Sequence, residues 1–350
     1  KRHHERVEAM RPAAQGGAGF AVGLEEMRRF LDVPPPPTTD VLDAEILASR
    51  ERIDAEVAHA LEDGADIPLM RIAEACNLTS LERQLLTVIL APEIDPAFER
   101  AYAFLWDDFS RRKPTIDFVL SLLLPDLASR WEAAPVFAPT EALRWNGLIT
   151  LDDGPPEQGG RGFLTRTVRV APRVVAYLLG DYGLDETIQA FAELTVCRGQ
   201  ESDLVLGERT TQRLVKAMRR ALELPRVRIL LRGPRGAGKK LLSTIAIGGG
   251  RRLLAVDVAA LARRPEPLES SLRAARREAV LSEALLYLAW DFSETADATG
   301  AALRIVEHTF SDYPGPLILG SHSVVPAFLG AGDRRVQLEI GLPDADARLQ

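Results

Sequence analysis

The stretch Leu230-Leu-Arg-Gly-Pro-Arg-Gly-Ala-Gly-Lys-Lys-Leu241 decides how the rest of the chain reads. Before the glycines, Val227 to Leu231 is a short apolar run of the kind that forms a buried strand, and after them Lys239, Lys240, Leu241 and Leu242 open a helix. Strand, glycine-rich turn and helix in that order is the setting of a phosphate-binding loop. Gly236 and Gly238 let consecutive backbone N–H groups converge on a phosphate, at a helix N-terminus whose partial positive charge favours anions. Lys239 then reaches the terminal phosphates. Gly233, Pro234, Arg235, Gly236, Ala237, Gly238, Lys239, Lys240 and Leu241 are therefore the candidate nucleotide-binding set. The competing reading is a glycine-rich loop that only turns the chain.

One position departs from the pattern. The residue after the lysine is ordinarily Ser or Thr, whose hydroxyl binds Mg²⁺, and here it is Lys240. A protonated lysine cannot ligate a metal ion, so Mg²⁺ binding and hydrolysis need another group. Phosphate binding rests on the backbone and Lys239 and is less affected.

Downstream, apolar runs alternate with helical segments. Arg252 to Asp257, Ala284 to Asp291, Pro316 to Ser323 and Val336 to Ile340 read as strands, and Leu241–Ile247, Val258–Ala262, Leu268–Ser282 and Ala298–Thr309 as the helices between them. This alternation predicts a parallel sheet covered by helices on both faces, with ligand at the carboxyl ends of the strands. Asp291 closes one run, where such a site keeps its metal-side acid. The next residue, often a glutamate that polarises the attacking water, is Phe292, with Glu294 as a substitute further on. Ser321, His322 or Ser323 would sit beside the third phosphate. Arg334 and Arg335 precede the last run, and ordinary surface charge is the competing reading for them.

Upstream, residues 1–38 are weakly patterned and end in Pro34-Pro35-Pro36-Pro37, a stiff spacer better read as linker than as recognition motif. Helices are predicted from Asp40 to about Glu62, Pro68 to Cys76, Thr79 to Leu90 behind a capping box, Ala97 to Phe109, and Thr115 to Leu124. Leu143 to Ile149 with its Gly-Leu-Ile-Thr-Leu end, a polar Gly/Pro-rich loop from Asp152 to Gly162, and Phe163 to Val170, which alternates like an exposed strand, have the form of a two-stranded wing, followed by a helix from Pro172 to Leu179. Such a module binds DNA or docks protein. Its basic cluster Arg111, Arg112 and Lys113 is either a DNA-facing patch or a solvated turn. Residues 183–199 read as helix and linker, Leu204 to Leu206 as a short apolar element, and Glu208 to Glu223 as a helix stopped by Pro225. The domain plan is thus an N-terminal segment 1–38, a helical winged-helix-like domain 39–180, a linker 181–202 and a nucleotide-binding domain 203–350.

The bulk properties fit this plan. The chain has 350 residues, enough for two or three domains, and 46% hydrophobic with 27% charged residues is ordinary for globular protein. A net charge of -7 argues against a dedicated nucleic-acid binder. Two distant cysteines and scattered histidines give neither a disulfide framework nor a zinc signature, so a cytoplasmic protein with no membrane span is expected.

The order of parts, namely phosphate loop, acid-ended strand, polar-ended strand and arginines before a last strand, resembles the AAA+ ATPase core over about residues 200–350. More narrowly, the Leu81-Glu-Arg-Gln-Leu-Leu86 helix, the Asp107-to-Thr115 turn and the Leu164-to-Gly180 segment resemble the winged-helix N-terminal region of AAA+ ATPases associated with bacterial contractile injection systems, the phage-tail-like particles. The fold class that follows is an α/β P-loop NTPase, an AAA+ core preceded by a mainly helical winged-helix-type domain. The resemblance implies that Lys239 binds the β- and γ-phosphates of ATP or ADP, Asp291 is the metal-side acid for Mg²⁺, Ser321 is the sensor, and Leu204 and Leu206 lie near adenine. It implies that Arg334 or Arg335 is a finger offered to a neighbouring subunit's nucleotide, hence a ring of identical subunits with a hexamer as candidate size. A client protein or particle component would be the partner. The family's helical lid would begin at Pro343 to Gln350, where the chain stops, which reads as truncation or disorder. Three functions follow: an ATPase that assembles, loads or remodels a contractile particle; a DNA-acting or transcription-regulating relative; and an assembly scaffold that binds nucleotide without turnover.

Overall fold

The structure, a computed structural model, describes residues 40–106, 113–124, 126–152, 162–292, 296–322 and 333–341. The chain folds as two units, Lys1–Leu179 and Gly180–Gln350. Arg111, Arg112, Glu294, Ser323, most of the polar loop between the wing strands and the segment after Pro343 lie outside the described residues.

The first unit contains α1 (Asp40–Glu62), α2 (Pro68–Ala75), α3 (Ser80–Ile94), α4 (Ala97–Trp106), α5 (Ile116–Leu123), α6 (Leu127–Ala133), α7 (Ala142–Trp145), the strands β1 (Ile149–Asp152) and β2 (Thr167–Val170), and α8 (Pro172–Leu178). The capping box opens α3 as its residues dictate: the Thr79 hydroxyl accepts from the Glu82 N–H at 3.2 Å while the Glu82 carboxylate accepts from the Thr79 N–H at 2.8 Å. The helix then runs past its expected end, through Pro92 to Ile94. Proline at 92 removes the N–H that would have met the Val88 carbonyl. The Tyr102 hydroxyl donates to that carbonyl instead, at 2.7 Å, so the break is repaired from α4.

The wing differs from its expectation in extent and exposure. Phe163–Thr165 is a 3₁₀ turn, and only Thr167–Val170 pairs with β1, antiparallel from Ile149↔Val170 to Asp152↔Thr167. The strand is not exposed. Val168 and Val170 are buried against α3, and Arg169, on the other face, pairs with Glu93 at 3.0 Å. Alternation shows only that the two faces differ, and here the polar face is partly covered too, with Thr167 buried and Arg169 half-exposed. The short helices α6 and α7 were not anticipated, although Asp126 caps α6 through the Ser129 N–H at 2.8 Å.

The second unit contains β3 (Ala192–Val196), α9 (Glu208–Leu222), β4 (Val227–Arg232), α10 (Lys239–Ile247), β5 (Arg252–Asp257), α11 (Val258–Leu261), α12 (Leu268–Leu281), β6 (Ala284–Trp290), α13 (Ala296–Phe310), β7 (Leu317–Ser321) and β8 (Arg334–Glu339). Its six strands lie in the order β3-β5-β6-β7-β4-β8. Five run parallel, and β3 is antiparallel to β5. The sheet is therefore mixed, and part of the expected linker 181–202 is an edge strand of it. Helices cover both faces, as anticipated: Leu272, Ala275, Val306 and Phe310 of α12 and α13 pack on Leu254, Leu286, Leu288 and Leu319. On the opposite face, Met218, Leu242 and Ile245 of α9 and α10 pack on Ile229, Leu231, Leu285 and Ile318. Burial on both faces explains why these strands read as unbroken apolar runs.

Three ion pairs, two of them on one aspartate, fasten the sheet's surroundings. Arg228, at the start of β4 and 3% exposed, holds Asp333 at 3.0 Å and donates to the carbonyls of Phe310, Tyr313 and Gly315, while Arg226 holds the other Asp333 oxygen at 3.2 Å. Asp185 pairs with Arg277 and accepts from the Thr187 N–H at 2.7 Å. Burial alone would raise the Asp185 pKa, but the Thr187 hydrogen bonds and the Arg277 charge overcome it and hold the carboxyl below its ordinary value. A carboxylate depressed in the folded state stabilises above its unfolded pKa and loses that contribution as pH falls through the folded one. The second unit should accordingly lose stability as pH drops below about 4, and Asp185→Asn should flatten that part of the profile. Parallel acid-unfolding curves for parent and variant would contradict this.

Candidate nucleotide site

The loop leaves β4 at Gly233, whose added Cβ would stand 2.4 Å from the Ile340 carbonyl oxygen, so no side chain fits there. The Gly233 N–H donates to the Ser321 carbonyl at 3.1 Å and stitches the loop to β7. Gly236 and Gly238 adopt φ of +77° and +81°, the left-handed region that glycine enters without strain. Gly238 caps α10 with no side-chain hydrogen bond, which leaves the first turn of the helix to an external acceptor. Lys239 is 7% exposed, and its Nζ donates to the Gly233 and Pro234 carbonyls at 2.8 Å each. Burial pushes its pKa down, the Asp291 charge opposes that, and Arg235 adds to it.

Register brings three strand ends together, because Ser321 on β7 lies opposite Trp290 on β6 and Arg232 on β4. Asp291, the residue after β6, places Oδ1 2.9 Å from His322 Nδ1. Arg235 reaches across from the loop to donate to the Asp291 carbonyl at 3.2 Å. Ser321 is fully buried beside them. Tyr287 lies against Gly320 so closely that a Cβ there would meet its hydroxyl at 1.9 Å. Burial, reinforced by the Asp291 charge, raises the Tyr287 pKa. Leu204 is buried at the end of the phosphate loop, its Cδ2 2.9 Å from where a Cβ on Gly238 would stand, and Leu206 and Leu241 pack against the same core.

Four predicted positions behave differently. The Lys240 Nζ turns to Glu193 on β3, at 2.6 Å. Phe292 is 7% exposed and packs on Trp290, ring centres 4.6 Å apart, inside the hydrophobic core. Arg334 and Arg335 open β8 rather than precede a strand that starts at Val336, because the Arg228–Asp333 pair fixes the chain's entry two residues earlier. Both are exposed and stand opposite Val227 and Arg228. They are thus at the amino ends of β4 and β8, about 17 Å from the loop end of the sheet by strand rise, and the structure does not bring them to the site of their own chain.

Sequence reasoning offered His322 as one of three alternatives and missed the Arg235–Asp291 contact. Histidine directly after a polar strand end was a usable signal for the first. Tyr287 gave none, since a tyrosine inside an apolar strand reads as core.

The residues fit the phosphates of a nucleotide: glycines in the required conformation, an uncapped helix start and a buried ammonium. They do not make an ordinary magnesium site, because the hydroxyl position holds a lysine drawn to Glu193 and the Asp291 carboxylate is held by His322. Among the described residues there is no group of three or more His, Cys, Asp or Glu placed to hold a metal ion.

Fold and loop together define an α/β domain of the P-loop NTPase type, preceded by a helical winged-helix region. The winged-helix part matches the family described as "Winged helix domain, variant" over residues 22–192. In structure the chain is similar to the AAA domain of FIGL-1, with 16% identity and a TM-score of 0.34, over 48% of this chain and 64% of that one. No curated protein matches the sequence. No helix among the described residues is long and apolar enough to cross a membrane.

Proposed function

We propose that the chain is an AAA+-type protein that binds ATP or ADP at Gly233 to Lys239. The observation that carries this is the convergence of the phosphate loop, the buried Lys239 ammonium, Asp291 and Ser321 at the carboxyl ends of β4, β6 and β7. In this reading Lys239 meets the terminal phosphates, Ser321 senses them, and Leu204 and Leu206 face adenine. The Mg²⁺ that such a nucleotide ordinarily carries finds no complete site here, since the hydroxyl position holds Lys240 and the Asp291 carboxylate is held by His322. Arg334 and Arg335, far from their own loop, act in trans on a neighbour's nucleotide, which requires a ring of identical subunits, a hexamer being the candidate size. The resemblance of the N-terminal region supports a cytoplasmic role in assembling, loading or remodelling a contractile injection particle, with a particle component as partner to the domain over 39–180.

A second reading keeps the nucleotide and drops its hydrolysis. Phe292 favours it, since the side chain that would polarise water is a core residue instead, and so does the engagement of Lys240 by Glu193. Measuring ATP binding and turnover together on the oligomeric protein separates the two. Turnover lost in Asp291→Ala supports the ATPase; binding with no turnover supports the scaffold. Absence of binding removes both. DNA action is the remaining alternative, and lack of DNA binding at low salt would eliminate it.

A further inference from the structure

The two groups that would normally attend to magnesium are both committed elsewhere, and the loop carries an extra cation. Lys240 occupies the position of the metal-ligating hydroxyl and is tied to Glu193 on the edge strand. The Asp291 carboxylate, which would orient the metal's water shell, accepts from or pairs with His322. A magnesium ion in its usual place would have to part Asp291 from His322 and would find no hydroxyl on the first turn of α10 at the usual position. Ser243 and Thr244, the next hydroxyls along the helix, donate to the Lys239 and Leu241 carbonyls at 3.0 and 2.8 Å, so they are turned to the helix backbone.

Arg235 lies in the loop itself. Its exposed guanidinium bridges from there to the Asp291 carbonyl through one N–H, so the planar group stands over the gap between the phosphate loop and the end of β6. A guanidinium presents five N–H donors in a fork that matches phosphate oxygens. Together with Lys239 it places two fixed positive charges where a polyphosphate chain would run.

We infer that this site takes its nucleotide as the metal-free di- or triphosphate, with Arg235 beside Lys239 supplying the charge that magnesium supplies in other phosphate-loop proteins. This rests on the nucleotide-binding reading above. Because the arginine and the metal would neutralise the same oxygens, they compete, and added magnesium gains nothing for binding.

The test is calorimetric titration of ADP and ATP into the whole protein, once in excess magnesium and once in EDTA. Affinity in EDTA is expected to equal or exceed that in magnesium, and Arg235→Ala is expected to weaken metal-free binding by about tenfold or more. Lys240→Ser, which restores the hydroxyl at a half-buried position, should make binding gain from magnesium. Binding that falls about tenfold or more in EDTA overturns this inference and leaves the nucleotide site standing. Unchanged metal-free affinity in Arg235→Ala removes the arginine's role and overturns it as well. No binding in either condition overturns both readings.

Discussion

Lys239→Ala should weaken ADP or ATP binding by about ten- to a hundredfold, the size expected when a charge-assisted contact to phosphate is removed, about 1.5–3 kcal/mol, and the loop that presents the backbone is released as well. Both effects come from one side chain. The Lys239 ammonium braces Gly233 and Pro234 through their carbonyls, and it is the buried cation of the loop. Stability should move the other way or not at all, because a lysine whose pKa is pushed down by burial costs desolvation when charged. Calorimetric titration with a thermal melt of the same preparation checks both arms. A variant that binds within about threefold of the parent would show that phosphates do not rest on this loop.

Asp333→Ala is expected to cost the second unit roughly 3–5 kcal/mol, since removing one partner of a buried pair leaves the other charge uncompensated. Arg228 is 3% exposed and cannot swing to water without leaving the Phe310, Tyr313 and Gly315 carbonyls. Its pKa is already pushed down by burial and held up chiefly by Asp333. Against a total stability of about 5–15 kcal/mol that loss is large. Urea unfolding of the single variant and of Arg228→Met/Asp333→Ala reads it. The double variant should recover much of the loss, because an apolar replacement of both partners is often neutral or better. A single-variant loss under about 1 kcal/mol would mean the pair behaves like a surface one. The aspartate also sets where β8 begins, so its loss would free the exposed Arg334 and Arg335 from their register opposite Val227 and Arg228.

What was legible in the sequence follows from what is local or periodic. The strands β4 to β7 showed themselves because burial on both faces makes apolar runs, and the runs end in glycine, aspartate or serine where the site lies. The capping box of α3 and the proline start of α8 are signals within four residues. By contrast β3 is a five-residue edge strand whose partner, β5, lies about sixty residues away in register from Val196↔Arg252 to Ala192↔Val256. Its Ala-Glu-Leu-Thr-Val alternates apolar and polar residues, a five-residue strand signal that the reading as helix and linker passes over. The Arg228–Asp333 and Asp291–His322 pairs are invisible, because charge partners far apart in sequence leave no periodicity. The glycine-rich turn between β4 and α10, with the left-handed conformations of Gly236 and Gly238, was legible from spacing alone. That Lys240 turns to Glu193 and Arg235 to the Asp291 carbonyl was not, since direction belongs to the fold.

The aromatic at 292 also bears on where a catalytic base could stand. A glutamate written into that position would inherit a place beside Trp290 in the hydrophobic core, where a carboxyl stays protonated and cannot draw a proton from water. One codon change therefore yields a weaker fold and no base. The backbone after β6 would first have to be re-aimed, which disturbs packing before any benefit appears. A water-activating base at this site has therefore to come from another segment of the chain and not from the residue after Asp291.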